Sequence, residues 1–456
     1  QALDTVAKST KVLDRVVDLV INHAPGGQPH VHWAIILIRA TVYTKFQHLL
    51  RNQFDDEIIR AAAALDEAFQ AALLKLIEWE GPILPSQRMQ IQMAIQEGGC
   101  GFRSLAELAS GAYLASWSLV ADFVEEVLPT RMGWDPGRLG HGQEGQGLTP
   151  LDQAIQKAYA HYEEVTGRPA PDTSHLIHLD KAQRVSGRQI DEAKASKFVA
   201  AAKLEGVGDA RFDDWAVESE TRANAAGGSL AGQHWTMAPA EYGETVDDAA
   251  YILDAQRRLG YQRLAPAGAT CRHIRSEEGQ KKHKTDMCGL PLDRGGLHCF
   301  ACLIGAGPKT QTHDGVQAGV ENTFTGWGVK LYRAKTRMGL DQSNPNKPAT
   351  ADTSIQWPDS HKWDEVEYGL HQDVLNSNSG KQKMRRFRTG QDLSLQDFWK
   401  DKRRRGYGAG PARRAQRKLK PFILSNYGRW LQETKTWTRA LCQKAVRTHL
   451  KGGIKG

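Results

Sequence analysis

From about residue 10 to residue 80, apolar side chains return every three or four positions, as in Val12, Leu13, Val16, Val17, Leu19 and Val20 and again from Ala61 to Ile77. That spacing lays an apolar stripe along one side of a helix, so this stretch predicts amphipathic helices. Gly81-Pro82 and Pro85 punctuate the run. After the Gly98-Gly99 turn a second helical stretch extends from Leu105 to about Val127 and stops before Pro129. In the triplet Phe54-Asp55-Asp56 the aspartates read as the N-cap of a helix. Residues 133 to 149 are glycine-rich and nearly free of large apolar residues, which reads as a linker. Helical patterns resume from Pro150 to about Glu220. Beyond His313 apolar residues thin out until Lys420-Pro421-Phe422-Ile423-Leu424 opens a final strand and helix. The pattern predicts a mainly α, multidomain chain with four parts: helices over 1–135, a helical connector over 150–262, a cysteine-rich segment over 263–316 and a basic, partly disordered α/β part over 317–456.

Length agrees with several cores, because 456 residues exceed what one ordinary domain buries. The longest apolar run, Trp33 to Ile38, ends at Arg39 and falls far short of the ~20 residues needed to cross a bilayer. The chain opens on Gln1 with no basic n-region, apolar h-region or cleavage site, and is read as a fragment or truncated gene product, neither secreted nor transmembrane and nuclear or cytoplasmic. The formal charge of +8 is local. Residues 381 to 420 hold 15 Lys or Arg against three Asp, a net +12, so the remainder sums to about −4.

Four of the six cysteines crowd into positions 271 to 302 beside histidines, a pattern for metal in a reducing compartment rather than a disulfide framework. Cys271, Cys288, His298 and Cys302 make a four-donor set suited to tetrahedral zinc, with His273, His283, Cys299 and His313 as alternates. Four protein donors close the coordination sphere, so the expected zinc is structural.

The run Cys288-Gly289-Leu290-Pro291-Leu292-Asp293, followed by Gly296-Leu297-His298, Cys302, Gly305 and His313-Asp314, resembles the cysteine-histidine region downstream of the polymerase in non-long-terminal-repeat retroelement reverse transcriptases. Upstream, Arg51, Phe54-Asp55, Gln90-Ile91-Gln92, Gly98-Gly99-Cys100-Gly101-Phe102-Arg103-Ser104 and Ala112 to Ser116 follow the order of that family's thumb and post-thumb segment. Trp235, Pro239 and Arg258-Leu259-Gly260 continue the series. Downstream, Pro421 to Leu424 and Tyr427-Gly428-Arg429-Trp430 resemble the end of its restriction-like endonuclease domain, although Ser425 stands where the family often has Glu. The resemblance implies a thumb-like domain over 1–135, a zinc knuckle and an endonuclease-like remnant.

No hydrophobic strand carries a Tyr/Phe-x-Asp-Asp turn, so polymerase aspartates are not expected here. An endonuclease needs carboxylates and a lysine around Mg²⁺; the candidates are Asp352 on a strand, then Asp359, Asp364 and Glu365, with Lys381 or Lys383 downstream. The basic tract interleaves cations and rings in Lys383, Arg385, Arg386, Phe387 and Arg388 and in Lys402, Arg403, Arg404, Arg405 and Tyr407, which suits phosphate contact with base stacking. The expected partner is RNA or DNA, with neither a membrane nor a small-molecule substrate. Three functions remain open from sequence: nucleic-acid binding by the knuckle and basic tract, a metal-dependent endonuclease using Asp352 and a downstream lysine, and a non-enzymatic assembly protein.

Overall fold

The computed structural model describes residues 2–22, 31–127, 150–169, 182–205, 219–220, 222–223, 226–227, 247–261, 268–273, 287–292, 302, 306–332, 337–341, 344–350, 352–358, 363–371, 393–407, 419–425 and 430–452. They are mainly helical, with one small four-stranded sheet. No helix among them is long and apolar enough to cross a membrane. The chain divides into two compact units, one over 1–207, 214–216 and 232–260 and the other over 208–213, 217–231 and 261–456.

Among its described residues the first unit is built of helices and the turns between them. Helix α1 (Ala2–Asn22) precedes α2 (Val31–Ile38), which runs through a π-helical turn, Arg39–Tyr43, into α3 (Thr44–Asn52). Then come α4 (Asp56–Leu76), α5 (Pro85–Ile91), α6 (Leu105–Val127), α7 (Pro150–Thr166), α8 (Ala182–Glu205) and α9 (Asp248–Arg258). Asp55 caps α4, its side chain accepting the Ile58 N–H at 2.7 Å, which relieves one of the unpaired donors of the first turn. Pro85 at the start of α5 costs no hydrogen bond, because the first helical position has no partner to lose.

These helices share one core. Leu13, Ile35, Phe46, Ile58, Leu65 and Leu73 meet Ile155, Ala158 and Tyr162 of α7, Ile190 of α8 and Tyr251 and Ala255 of α9. The sequence reading separates 1–135 from 150–262, whereas the structure packs both around common apolar side chains. The glycine-rich stretch between them, 133–149, lies outside the described residues.

At the centre of this unit is the segment Gly98 to Ser104. The Gly101 backbone has φ +79°, and a Cβ at Gly99 would fall 2.2 Å from the Met93 carbonyl oxygen, so neither position tolerates a larger residue without rearrangement. Two cations and an amide bind its carbonyls: Arg39 Nη1 donates to Gly101 O at 2.5 Å, Arg258 Nε to Gly99 O at 3.0 Å and Gln90 Nε2 to Gly98 O at 3.1 Å. Arg103 turns the other way, donating to Asp191 Oδ1 and to Gly187 O, each at 2.8 Å. Below it the buried Asp66 of α4 caps α6, accepting from Ser104 Oγ at 2.7 Å, Leu105 N at 2.8 Å and Ala106 N at 3.2 Å. Burial pushes its carboxyl up to about 6 despite those donors.

The second unit carries the sheet. Helix α10 (Ala306–Gly326) leads into β1 (Lys330–Tyr332); a separate two-stranded hairpin of β2 (Arg337–Asp341) and β3 (Asn344–Thr350) follows. Next come β4 (Thr353–Gln356), β5 (Trp363–His371), α11 (Leu393–Tyr407), β6 (Leu419–Ser425) and α12 (Gln432–Gly452). The strand order is β1-β4-β5-β6, with β1, β4 and β5 antiparallel and β6 parallel to β5. A parallel neighbour requires a crossover longer than a hairpin turn, and α11 lies within that crossover.

Strand alternation sorts the side chains by face. Ile355, Val366, Tyr368 and Phe422 join Phe324 of α10 and Trp437, Leu441 and Ala445 of α12 in one buried cluster. Asp364 lies on this same face, 1% exposed, and accepts from both Trp357 Nε1 at 2.6 Å and Trp437 Nε1 at 2.9 Å. Two indole donors satisfy a charge that burial alone would make costly.

Candidate functional site

Sheet register brings carboxylates together at one end of the β4–β5 pair. Thr353 pairs with Val366, so Asp352, one residue earlier, stands across from Glu367, and Asp352 N donates to Val366 O at 3.1 Å. Asp352 Oδ2 accepts the Tyr368 N–H at 2.9 Å. Glu367 has the parity opposite to Val366 and Tyr368, and there it meets Lys402 of α11, whose Nζ is 2.8 Å from Glu367 Oε1 and also donates to Tyr368 O. From α10, His313 directs Nε2 to Asp352 Oδ2 at 3.5 Å and Nδ1 to Asp314 Oδ1 at 3.2 Å. Glu321, two turns further along α10, accepts from Gln317 Nε2 at 2.8 Å and from the Thr353 hydroxyl.

The electrostatics follow from this crowding. Burial pushes the Asp352 carboxyl up, but the His313 ring, the Lys402 ammonium and the Tyr368 N–H outweigh it and hold the group below its ordinary value. The His313 imidazole is raised in turn, chiefly by its hydrogen bond to Asp352, with burial opposing and Asp314 assisting. Asp352 and Glu367 are hard oxygen donors. Two carboxylates fit Mg²⁺ or Mn²⁺, ions that keep several waters and share their sphere with substrate phosphate.

A different donor set lies in the cysteine segment of the same unit. Cys271 N donates to Leu290 O at 2.8 Å, Cys288 N to His273 O at 2.9 Å, Gly289 N to Cys271 O at 3.0 Å and Leu292 N to Ala269 O at 2.8 Å, which folds 269–273 against 288–292 as a short ladder. Gly289 turns with φ +68°. Cys271 and His273, two apart on extended backbone, point to one side and meet Cys302, with ligand atoms all within 4.8 Å of one another. Cys271 Sγ and Cys302 Sγ are 3.7 Å apart, and Cys288 is buried in the same cluster. His273 Nδ1 is buried without a hydrogen-bond partner among the described residues. Two thiols and one imidazole meet there, with the Cys288 thiol buried nearby as a fourth candidate, donors of the kind that zinc takes, and a buried nitrogen left without a partner is what such an ion would satisfy.

Several residues stand elsewhere than the sequence pattern places them. His313 contacts Asp352 from α10, and His273, an alternate in the sequence reading, lies beside Cys271 and Cys302; His298 lies outside the described residues. Lys402, read from sequence as part of a phosphate-binding tract, has its side chain 27% exposed and engaged by Glu367. Arg403 is exposed on α11, and Arg404, Arg405 and Tyr407 continue that helix. Lys383, Arg385, Arg386, Phe387 and Arg388 fall outside the described residues, as do Asp359 and Lys381. Glu367 was missed altogether. Its signal was the alternation in Trp363-Asp364-Glu365-Val366-Glu367-Tyr368, which places one acidic set in the core and another on the opposite face. The chain matches no protein-family profile, and no curated protein matches it in sequence.

Proposed function

We propose that the second unit is a divalent-metal-dependent nuclease domain, acting on the phosphodiester backbone of DNA or RNA within a nucleic-acid-binding protein of retroelement reverse-transcriptase ancestry. The observation that carries the reading is the convergence of Asp352, Glu367 and Lys402, drawn from the residue before β4, from β5 and from α11, at one end of the β4–β5 pair. Support for the ancestry comes from the short motifs in 288–314 and 421–430, which resemble that family's knuckle and endonuclease region.

Asp352 and Glu367 would hold the cation; when bound, it supplies Lewis-acid activation of water and charge neutralisation at the phosphate. The chain's own groups do the rest. Backbone donation from Tyr368 fixes the Asp352 carboxylate, and the Lys402 ammonium, pinned between Glu367 and the Tyr368 carbonyl, presents fixed positive charge where negative charge gathers on the phosphoryl oxygens. The donor set Cys271, His273, Cys288 and Cys302 supports a structural zinc, which would tie two distant stretches of a loop-rich segment together.

Nicking of supercoiled plasmid and of single-stranded RNA by the full chain in Mg²⁺, Mn²⁺ or Ca²⁺ tests the reading. Cleavage in Mg²⁺ or Mn²⁺ that disappears in Asp352→Asn and Glu367→Gln is expected. Cleavage that survives both substitutions, or none in the unaltered chain, would sink it.

A further inference from the structure

We propose that His313 is the positioning residue that orients the Asp352 carboxylate for its cation, an inference that rests on the nuclease reading of this site. Asp352 has two oxygens, and the structure commits one of them. Oδ2 accepts the Tyr368 N–H at 2.9 Å and faces His313 Nε2 at 3.5 Å. Both partners come from other elements, β5 and α10, so they fix the plane of the carboxylate and leave Oδ1 as the oxygen for a cation.

His313 is itself held. Its Nδ1 faces Asp314 Oδ1 at 3.2 Å, and its ring stands edge-on to Tyr368, with centroids 6.5 Å apart and planes at 89°. Asp314, His313 and Asp352 thus form a chain of contacts that ends at Oδ2 of the candidate metal-binding carboxylate. The side chains of His313 and Asp352 are 28% and 21% exposed, so the contact is sheltered but open to an incoming ion. Such partners of a ligand act by fixing its orientation, and their loss typically weakens metal binding by about 10- to 100-fold. His313 therefore needs no direct contact with the cation to govern how tightly it is held.

The test is Mn²⁺ affinity by calorimetry on the zinc-loaded full chain, read with plasmid nicking and melting temperature on the same samples. Asp352→Asn serves as the control that the titrated site is this one. His313→Ala is expected to weaken Mn²⁺ binding about 10-fold or more. His313→Gln, whose amide N–H can donate to Asp352, is expected to restore most of that affinity. A merely structural histidine would lower the melting temperature in both variants without separating their Mn²⁺ affinities, and that result overturns the inference. Equal Mn²⁺ affinity in His313→Ala and the unaltered chain overturns it too, and if nicking continues the nuclease reading stands alone. Weakened Mn²⁺ binding in His313→Ala, in a chain that does not nick, keeps the inference and removes the nuclease reading. No Mn²⁺ binding at all removes both.

Discussion

Lys402 Nζ lies 2.8 Å from Glu367 Oε1, in an ion pair whose side chains are 27% and 9% exposed. A lysine on a helix and a glutamate on the strand behind it thus serve one another, although the surrounding residues of that helix, Lys400, Arg403 and Arg404, give it the look of a plain basic tract. Replacing Lys402 by Met should lower Mg²⁺-dependent nicking by about 100-fold or more, the scale of losing one fixed charge from a phosphoryl-transfer site. Retention of duplex affinity in a filter-binding assay would separate this from loss of the basic surface; nicking undiminished in the variant would remove Lys402 from the site.

Asp364 should behave differently from Asp352 although both are carboxylates on neighbouring strands. It accepts from Trp357 and Trp437 indoles inside the core. Hydrogen bonds to a charged acceptor contribute roughly 1.5–3 kcal/mol each, so Asp364→Ala should destabilise the second unit by about 3 kcal/mol or more. Urea unfolding followed by tryptophan fluorescence checks this, with Asp352→Asn, whose amide oxygen can still accept the Tyr368 N–H, expected to move the midpoint less.

In the first unit the informative titration is that of Asp66, which burial raises to about 6. A carboxyl that binds its proton more tightly when folded stabilises the fold fully below its unfolded value near 4, and that contribution disappears as pH rises through about 6. A shift of about two units corresponds to about 3 kcal/mol at most, since the three donors at Ser104, Leu105 and Ala106 favour the charged form. Chemical denaturation at pH 4.5 and 7.5 should show a loss of stability across that window, flattened in Asp66→Asn. A slope unchanged in the variant would assign the effect to another group.

The cysteine cluster predicts zinc in the purified protein at one ion per chain. Elemental analysis should find it lost in Cys271→Ala and Cys302→Ala, and reduced in His273→Ala more than in His298→Ala. The reverse order for the two histidines would return the site to the ligand set read from sequence.

Much of the helical part was legible because periodicity and punctuation agree locally. The stretch from Leu105 to Val127 forms α6, Asp55 caps α4, and Lys420 to Leu424 forms most of β6. The division between 1–135 and 150–262 was not legible: a glycine-rich segment reads as a linker whatever the helices beyond it pack against, and Ile155, Ala158 and Tyr162 bury their side chains in the same core. The carboxylate site was half legible. Asp352 stood out as an acid beside a short apolar strand. Glu367 and Lys402 did not, because their association depends on antiparallel register and on a crossover helix, neither of which leaves a fixed spacing in the chain. His273 was legible only as an alternate, because the spacing of His298 to Cys302 looks more like a conventional motif.

Because β6 is parallel to β5, the chain must run past α11 before the last strand can dock. A nascent chain released as far as Tyr407 would already contain His313, Asp352, Glu367 and Lys402, yet the helix that carries the lysine would still lack the strand that closes its crossover. Assembly of the site therefore waits on a long-range pairing, which is among the slower events of folding. For the nuclease proposed above, such an order would keep the unfinished chain harmless.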